Sequence, residues 1–88
     1  ALRLENTNDA IKYLKLILDI EETDREYQDL CILLNNAERF EDLITWGEKW
    51  HKYDPTNVMA VQFVSLGAQR TGNTAIELKY NNILRKLQ

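Results

Sequence analysis

Apolar side chains recur at helical spacing along most of the 88-residue chain, and five segments stand out by this pattern. The clearest stripe has apolar residues at positions i, i+3, i+4 and i+7: Tyr27, Leu30, Cys31 and Leu34. This spacing places all four side chains on one face of a helix that must be buried. No segment shows the period of two that is typical of strands. We therefore predict an all-α fold with loops of about two to five residues, in which successive helices pack as antiparallel hairpins.

Local signals predict where several of these helices begin and end. Thr23 and Glu26 have the spacing of a capping box, in which the hydroxyl accepts a hydrogen bond from the Glu26 amide, and this opens the second helix. Asn36 is expected to take the left-handed conformation at the exit of that helix. Pro55 ends the third helix because proline disfavours helical geometry in the residue before it. Gly72 is expected to end the fourth helix as a left-handed cap.

Composition narrows the class of function. Apolar residues make up 44% of the chain and charged residues 28%, which excludes a disordered chain, and three glycines and one proline suit a helical fold. The single cysteine, Cys31, excludes an internal disulfide and a multi-cysteine zinc site, and it occupies a small, buried slot. The single histidine, His51, has no second imidazole to work with. We therefore predict a protein that is not an enzyme, with no catalytic residue, metal site, cofactor or small-molecule substrate.

Charge and hydropathy exclude two further classes of partner. Residues 1–57 have a net charge of −6 and residues 58–88 a net charge of +3, and four dispersed basic side chains are too few for a nucleic-acid footprint. The longest apolar run, residues 30–34, is far shorter than the roughly 20 residues that span a bilayer. We expect no direct nucleic-acid binding, no membrane insertion and a cytoplasmic location. Because the chain begins at Ala1 without a methionine, we also expect a piece of a longer protein.

Residues 24–57 resemble a tetratricopeptide repeat of about 34 residues. The stripe described above fits the large-large-small-large slots of the first helix of such a repeat. Phe40 and Leu43 begin its second helix, and the repeat closes on Asp54 and Pro55. The segment upstream is similar to the second helix of an earlier repeat.

The resemblance extends to the rest of the chain and implies an architecture. Residues 1–23 correspond to a partial repeat, and residues 58–88 to a further repeat that is shortened by about one residue at the Gly72 turn. The whole chain, residues 1–88, is then a single domain. Its fold is expected to be a short right-handed solenoid of about five helices, built from stacked antiparallel hairpins of the tetratricopeptide type.

Three positions depart from the family pattern. Trp50 stands where the family usually has alanine, and Gly47, one turn earlier, replaces an aromatic residue. We interpret the two as one volume exchange, in which the indole of a buried Trp50 fills the space that Gly47 leaves. Glu38 replaces the usual turn glycine, which is consistent with Asn36 as the left-handed residue.

The resemblance implies a protein–protein interaction or scaffold module that binds a partner segment in a concave groove. The first helix of each pair lines that groove in the family. The outward positions of the second and fourth helices are Arg25, Gln28, Ile32 and Asn35, and Met59, Gln62, Leu66 and Gln69. Amide side chains donate and accept hydrogen bonds, which suits a peptide backbone, and Arg25 can pair with a carboxylate. The polar members of this set are the partner-binding candidates.

Two other places on the surface are candidates for contacts with a protein partner. Trp46 lies about 100° from the buried stripe of the third helix. It is either an exposed interface anchor or a side chain that packs against the neighbouring repeat. Ile83, Leu84 and Leu87 of the fifth helix are expected to dock on a neighbour or on a second copy of the chain.

A second resemblance overlaps with the first. Residues 54–87, with Asp54, Pro55, Tyr80 and Leu84 among the matching positions, are similar to the repeat-containing effector region of bacterial transcriptional activator domains. That resemblance implies a role in oligomerisation or signal response, with a DNA-binding domain that lies outside this chain. It remains the alternative to the interaction module.

Overall fold

Five helices follow one another in residues 7–87, the part of the chain that the computed structural model describes. They are α1 (Thr7–Ile20), α2 (Asp24–Asn36), α3 (Phe40–Tyr53), α4 (Val58–Thr71) and α5 (Thr74–Leu87). Each helix packs against its neighbour in sequence, and α2 also contacts α4. No strand is present in these residues, so the all-α prediction is confirmed. Residues 1–6 of the expected partial repeat, and Gln88, lie outside the described residues.

Side-chain caps begin three of the helices, and the one at Thr23 is the predicted capping box. The Thr23 hydroxyl accepts a hydrogen bond from the Glu26 amide at 3.2 Å. Asn57 caps α4 in the same way, with its side-chain oxygen 3.0 Å from the Met59 amide nitrogen. Asn73 caps α5 by accepting from the amide of Ile76 at 3.2 Å. Each bond satisfies an amide that has no partner within its helix.

The left-handed residues at the helix ends differ in part from the prediction. Gly72 has a φ of 75° and ends α4 as expected. After α2, the left-handed residue is Glu38, with a φ of 58°, and not Asn36, which is the last residue of the helix. In both turns the next amide donates to a carbonyl further back in the helix, at 2.9 Å after Glu38 and 2.8 Å after Gly72. This closure requires the left-handed residue directly before the donating amide, which is where Glu38 stands.

The expected shortening at the Gly72 turn does not occur. The two left-handed residues are one full repeat length apart, and α3 and α5 begin at the same distance after them. The buried side of α5 is instead displaced by one position: Ile76 and Ile83 follow Leu43 and Trp50 at a spacing of 33. One position corresponds to about 100° of rotation around a helix. The α5 helix therefore packs on α4 with its apolar side rotated relative to that of α3.

Two apolar clusters form the core. The first joins α1, α2 and α3 with one residue of α4, and the second joins α4 and α5 with one residue of α3. The buried members of the first are Ile11, Leu18, Tyr27, Leu30, Cys31, Leu34, Leu43, Trp50 and Ala60. Those of the second are Ile44, Val61, Val64, Ala68 and Tyr80. Hereafter α2–α3 is called the first hairpin and α4–α5 the second hairpin.

Two glycines let α3 and α4 approach closely, which joins the hairpins. A Cβ atom at Gly47 would lie 2.6 Å from Cγ2 of Val64, and one at Gly67 would lie 2.9 Å from Cγ1 of Ile44. These distances are too short for real carbon contacts, so both positions require glycine. The volume exchange expected within α3 is therefore wrong. Val64 of the neighbouring helix, and not Trp50, fills the space beside Gly47.

Candidate functional site

The outward rows of α2 and α4 form what we call the α2/α4 face. Its members are Arg25, Gln28, Ile32 and Asn35 on α2, and Met59, Gln62, Leu66 and Gln69 on α4. Each residue of the first row precedes its counterpart by one repeat length, and the two helices contact each other. All eight side chains are exposed or half-buried. The hydrogen bonds and ion pairs described between residues 7 and 87 involve none of the five polar ones.

Trp46 packs within the protein and still keeps part of its indole at the surface. The side chain is half-buried against the first cluster, with its ring 6.4 Å from that of Tyr27. The ammonium groups of two lysines lie over the indole, Lys49 at 4.1 Å and Lys15 of α1 at 5.8 Å from the ring centre. Trp46 thus contacts Tyr27 of its own hairpin and the Lys15 ammonium of α1, and both expectations for this residue remain predictions.

A cavity of about 410 Å³ opens beside Trp46, and we call it the Trp46 pocket. It lies where the end of α1 and the start of α2 meet the middle of α3. Its lining residues are Leu18, Asp19, Ile20, Glu22, Tyr27, Trp46 and Lys49. The Tyr27 hydroxyl donates a hydrogen bond to the Glu22 carboxylate. Burial, this hydrogen bond and the Glu22 charge raise the pKa of Tyr27 further above its ordinary value of 10.0.

Trp50 is fully buried, as expected, and a polar link that sequence reasoning missed holds its indole. The indole N–H donates to Oδ1 of Asp24 at 2.8 Å, and Nδ2 of Asn57 donates to the same oxygen at 3.4 Å. The indole also stacks on the Tyr27 ring, with centres 6.2 Å apart and planes 6° from parallel. A buried indole N–H needs an acceptor, which is the signal that could have pointed to a partner for Trp50.

The apolar residues of α5 are used mainly inside the protein. Ile83, Leu84 and Leu87 are half-buried and pack against the second cluster. Part of each side chain stays exposed, and docking on a neighbour or on a second copy of the chain remains a prediction. Leu78 is the large apolar side chain of α5 that is most exposed, with 60% of its surface open to solvent.

The residues with reactive side chains lie apart from one another. Cys31 is fully buried, and burial raises the pKa of its thiol to about 12, so it stays protonated at neutral pH. His51 is half-buried with its ring edge-on to that of Tyr80, at 5.5 Å, and its Nδ1 has no hydrogen-bond partner within residues 7–87. In the same part of the chain, no three His, Cys, Asp or Glu residues are grouped so that they could hold a metal ion.

Comparison with protein-family models, with curated proteins and with solved structures finds no match to this chain. None of the five helices between Thr7 and Leu87 combines the length and the apolar composition that are needed to cross a membrane.

Proposed function

We propose that this chain is a protein–protein interaction module of the tetratricopeptide type, a short right-handed solenoid that binds a partner segment on the α2/α4 face. The observation that carries the proposal is the pair of outward rows on two contacting helices, one repeat length apart, whose polar side chains have no partner in residues 7–87. Surface side chains arranged in register on neighbouring helices can follow an extended segment along its length.

The repeated local structure supports the same proposal. The caps Thr23 and Asn57 are separated by the same number of positions as the left-handed residues Glu38 and Gly72. That separation, about 34 residues with two helices in each unit, is typical of the tetratricopeptide repeat. In such an array each unit buries its apolar side against its neighbours, which leaves the outer side of α2 and α4 available to a ligand.

The chemistry of the α2/α4 face suits a peptide that carries an acidic residue. The amides of Gln28, Gln62 and Gln69 can donate to and accept from an extended backbone. Arg25 offers a guanidinium group that can hold a carboxylate with two hydrogen bonds. Exposed Ile32 and the other apolar members of the rows add area for apolar side chains of the same segment.

Peptide selection tests the proposal. A random peptide library is displayed and selected on the immobilised chain, and the affinity of the selected peptide is then measured by calorimetry. The double variant Arg25→Ala with Gln62→Ala is expected to bind at least about tenfold more weakly, since it loses one charged and one amide contact. The control, Asn82→Ala with Arg85→Ala, removes a matching amide and charge from the exposed side of α5.

Equal affinity of the groove variant and the parent, with helical content unchanged by circular dichroism, would show that partners bind elsewhere. Loss of affinity in the α5 control alone would show that the peptide binds to α5. That second result would favour the alternative, an effector region of a bacterial transcriptional regulator. Light scattering over a hundredfold range of concentration examines the alternative directly, because self-association through α5 requires a dimer that grows with concentration.

A further inference from the structure

We propose that the Trp46 pocket binds an arginine side chain of a partner peptide. The pocket lies between α1, α2 and α3, and none of its lining residues belongs to the α2/α4 face, so this site goes beyond the function proposed above. Four features of the pocket favour this ligand: its size, its aromatic surface, its carboxylates and the lysines that already lie over the indole.

The size and the apolar surfaces fit one long side chain. A volume of about 410 Å³ lies at the small end of the range for ligand pockets in proteins. Ile20 is 87% exposed at the rim, where the aliphatic part of an arginine can cover it. The half-buried indole of Trp46 provides a flat surface, and a planar guanidinium stacks on such a surface better than an ammonium does.

Two carboxylates favour a cation over an anion in this pocket. Asp19 and Glu22 both line it, against the single ammonium of Lys49. The hydrogen bond from Tyr27 holds the Glu22 carboxylate in place, and a carboxylate has lone pairs to accept further donors. The ion pairs described for residues 7–87 are those of Lys15 and Arg39 with Asp42, so neither pocket carboxylate has a basic partner in that part of the chain.

Two lysine ammonium groups lie over the Trp46 indole, so a cation fits at that surface. The Lys49 ammonium lies 4.1 Å from the ring centre, where the guanidinium of a ligand would stack. Lys49 is an exposed residue of α3, so a ligand can displace its flexible side chain. The Lys49 ammonium thus competes with the ligand for the indole surface. Its removal is expected to tighten binding of the ligand.

Nuclear magnetic resonance with short peptides tests this proposal. The probes are acetyl-Gly-Arg-Gly-amide, the same peptide with uncharged citrulline in place of arginine, and free arginine amide. The indole N–H signal of Trp46 is expected to shift on titration with the arginine peptide, while that of Trp50, bonded to Asp24, stays in place. The citrulline peptide is expected to bind at least about fivefold more weakly, because its neutral urea group has no positive charge to interact with the indole or with the carboxylates.

Matched variants distinguish binding in the pocket from a general attraction by the net charge of the protein. Asp19→Asn and Glu22→Gln should each weaken binding of the arginine peptide about threefold or more. Lys49→Gln should tighten it about threefold, while the control Lys52→Gln, which removes the same charge from an exposed residue of the same helix, should leave it unchanged. The variant with Arg25→Ala and Gln62→Ala should bind this peptide as the parent does, so failure of one site is distinguishable from failure of the other.

Several results would overturn the proposal. Equal shifts with the citrulline peptide would show that charge is not recognised, and equal tightening by Lys49→Gln and Lys52→Gln would show that only net charge matters. Absence of any Trp46 shift with the arginine peptide, in the parent and in Lys49→Gln, would exclude the site. Tighter binding of free arginine amide than of the peptide would assign the pocket to a small cation and not to a protein partner.

Discussion

The two hairpins share their local structure and differ in how they are packed. Both begin at a capped helix, and both turn through a left-handed residue at the same place in the repeated unit. The second helix of the first hairpin, α3, lies against both α2 and α4 and buries Trp50 completely. The second helix of the second hairpin, α5, packs mainly against α4, contacts α3 through the rings of Tyr80 and His51, and has one buried residue, Tyr80. Equal backbone signals thus lead to unequal burial, because burial depends on the number of neighbours.

The difference reaches single positions. Cys31 in the first hairpin and Ser65 in the second occupy equivalent places, one repeat length apart. Cys31 is fully buried among apolar side chains, whereas half-buried Ser65 donates a hydrogen bond of 2.6 Å to Asn81. Asn81 in turn is equivalent to Gly47. The space that a side chain at Gly47 would fill is occupied by Val64 of the neighbouring helix α4. The equivalent positions therefore differ in their partners: Cys31 and Gly47 pack against other side chains, whereas Ser65 and Asn81 bond to each other between α4 and α5.

The largest expected effect is that of Trp50→Ala, which removes the centre of the first hairpin. Loss of the buried indole leaves a cavity and is expected to lower the free energy of unfolding by about 3–5 kcal/mol in urea denaturation. Ile83 is the half-buried residue of α5 that corresponds to Trp50. Ile83→Ala should lower the free energy of unfolding clearly less than Trp50→Ala does. A loss below about 1 kcal/mol for Trp50→Ala would show that the indole does not stabilise the first hairpin.

Gly47→Ala tests the close approach of α3 and α4, which joins the two hairpins. The added Cβ would meet Cγ2 of Val64 at 2.6 Å, so the variant should lose about 1–3 kcal/mol although alanine favours a helix. Val64→Ala removes the opposing methyl group. The double variant should therefore be more stable than the sum of the two single changes predicts, by about 1 kcal/mol. Strict additivity would mean that the two side chains do not meet.

Stability at alkaline pH should depend on Cys31 and not on its equivalent residue Ser65. The thiol of Cys31 has an ordinary pKa of 9.0 and a folded-state pKa of about 12, so between these values the unfolded chain loses a proton that the folded chain keeps. Stability is then unaffected below about pH 9 and falls above it, by about 1.4 kcal/mol at pH 10. Cys31→Ala should remove this part of the pH dependence in urea denaturation. An unchanged profile would show that the thiol does not contribute.

The smallest effects are expected at the two turns, and with opposite signs. Gly72→Ala places a side chain at a φ of 75° and should cost about 1 kcal/mol. Glu38→Gly relieves the same strain at a φ of 58° but adds flexibility to the unfolded chain, so the gain should be about 0.5 kcal/mol. Thermal unfolding measures both. A loss of stability in Glu38→Gly would show that the glutamate side chain stabilises its turn.

Sequence reasoning located signals that act over a few residues. The capping by Thr23 and the left-handed Gly72 were predicted, since each depends on one side chain and the adjacent backbone. The left-handed residue after α2 was assigned to Asn36 because asparagine tolerates that conformation. The structure places it at Glu38, the position that holds a turn glycine in the repeat that the sequence resembles. The choice between the two residues depends on where the closing hydrogen bond forms, and residue type alone does not show this.

The candidate site also has one part that the sequence predicts and another part that only the packing of the helices creates. The eight residues of the α2/α4 face could be derived from helical spacing, and the structure leaves all of them at least partly exposed. For Trp46 the sequence left two alternatives, and it did not connect that residue with Asp19 and Glu22. The whole of α2 separates these carboxylates from Trp46 along the chain. Only the packing of α1 and α2 on α3 brings them to one pocket.

The five helices, the Thr23 cap, the Gly72 turn and the outward rows follow from the sequence alone, because hydrophobic periodicity and side-chain capping act within one helix or one turn. Three other features exist only in the packed protein: Val64 fills the space beside Gly47, Asp24 accepts a hydrogen bond from the Trp50 indole, and the apolar side of α5 is rotated by one position relative to that of α3. These features depend on the distance and rotation between helices. Such quantities arise from the packing of many side chains at once, and no single stretch of sequence contains them.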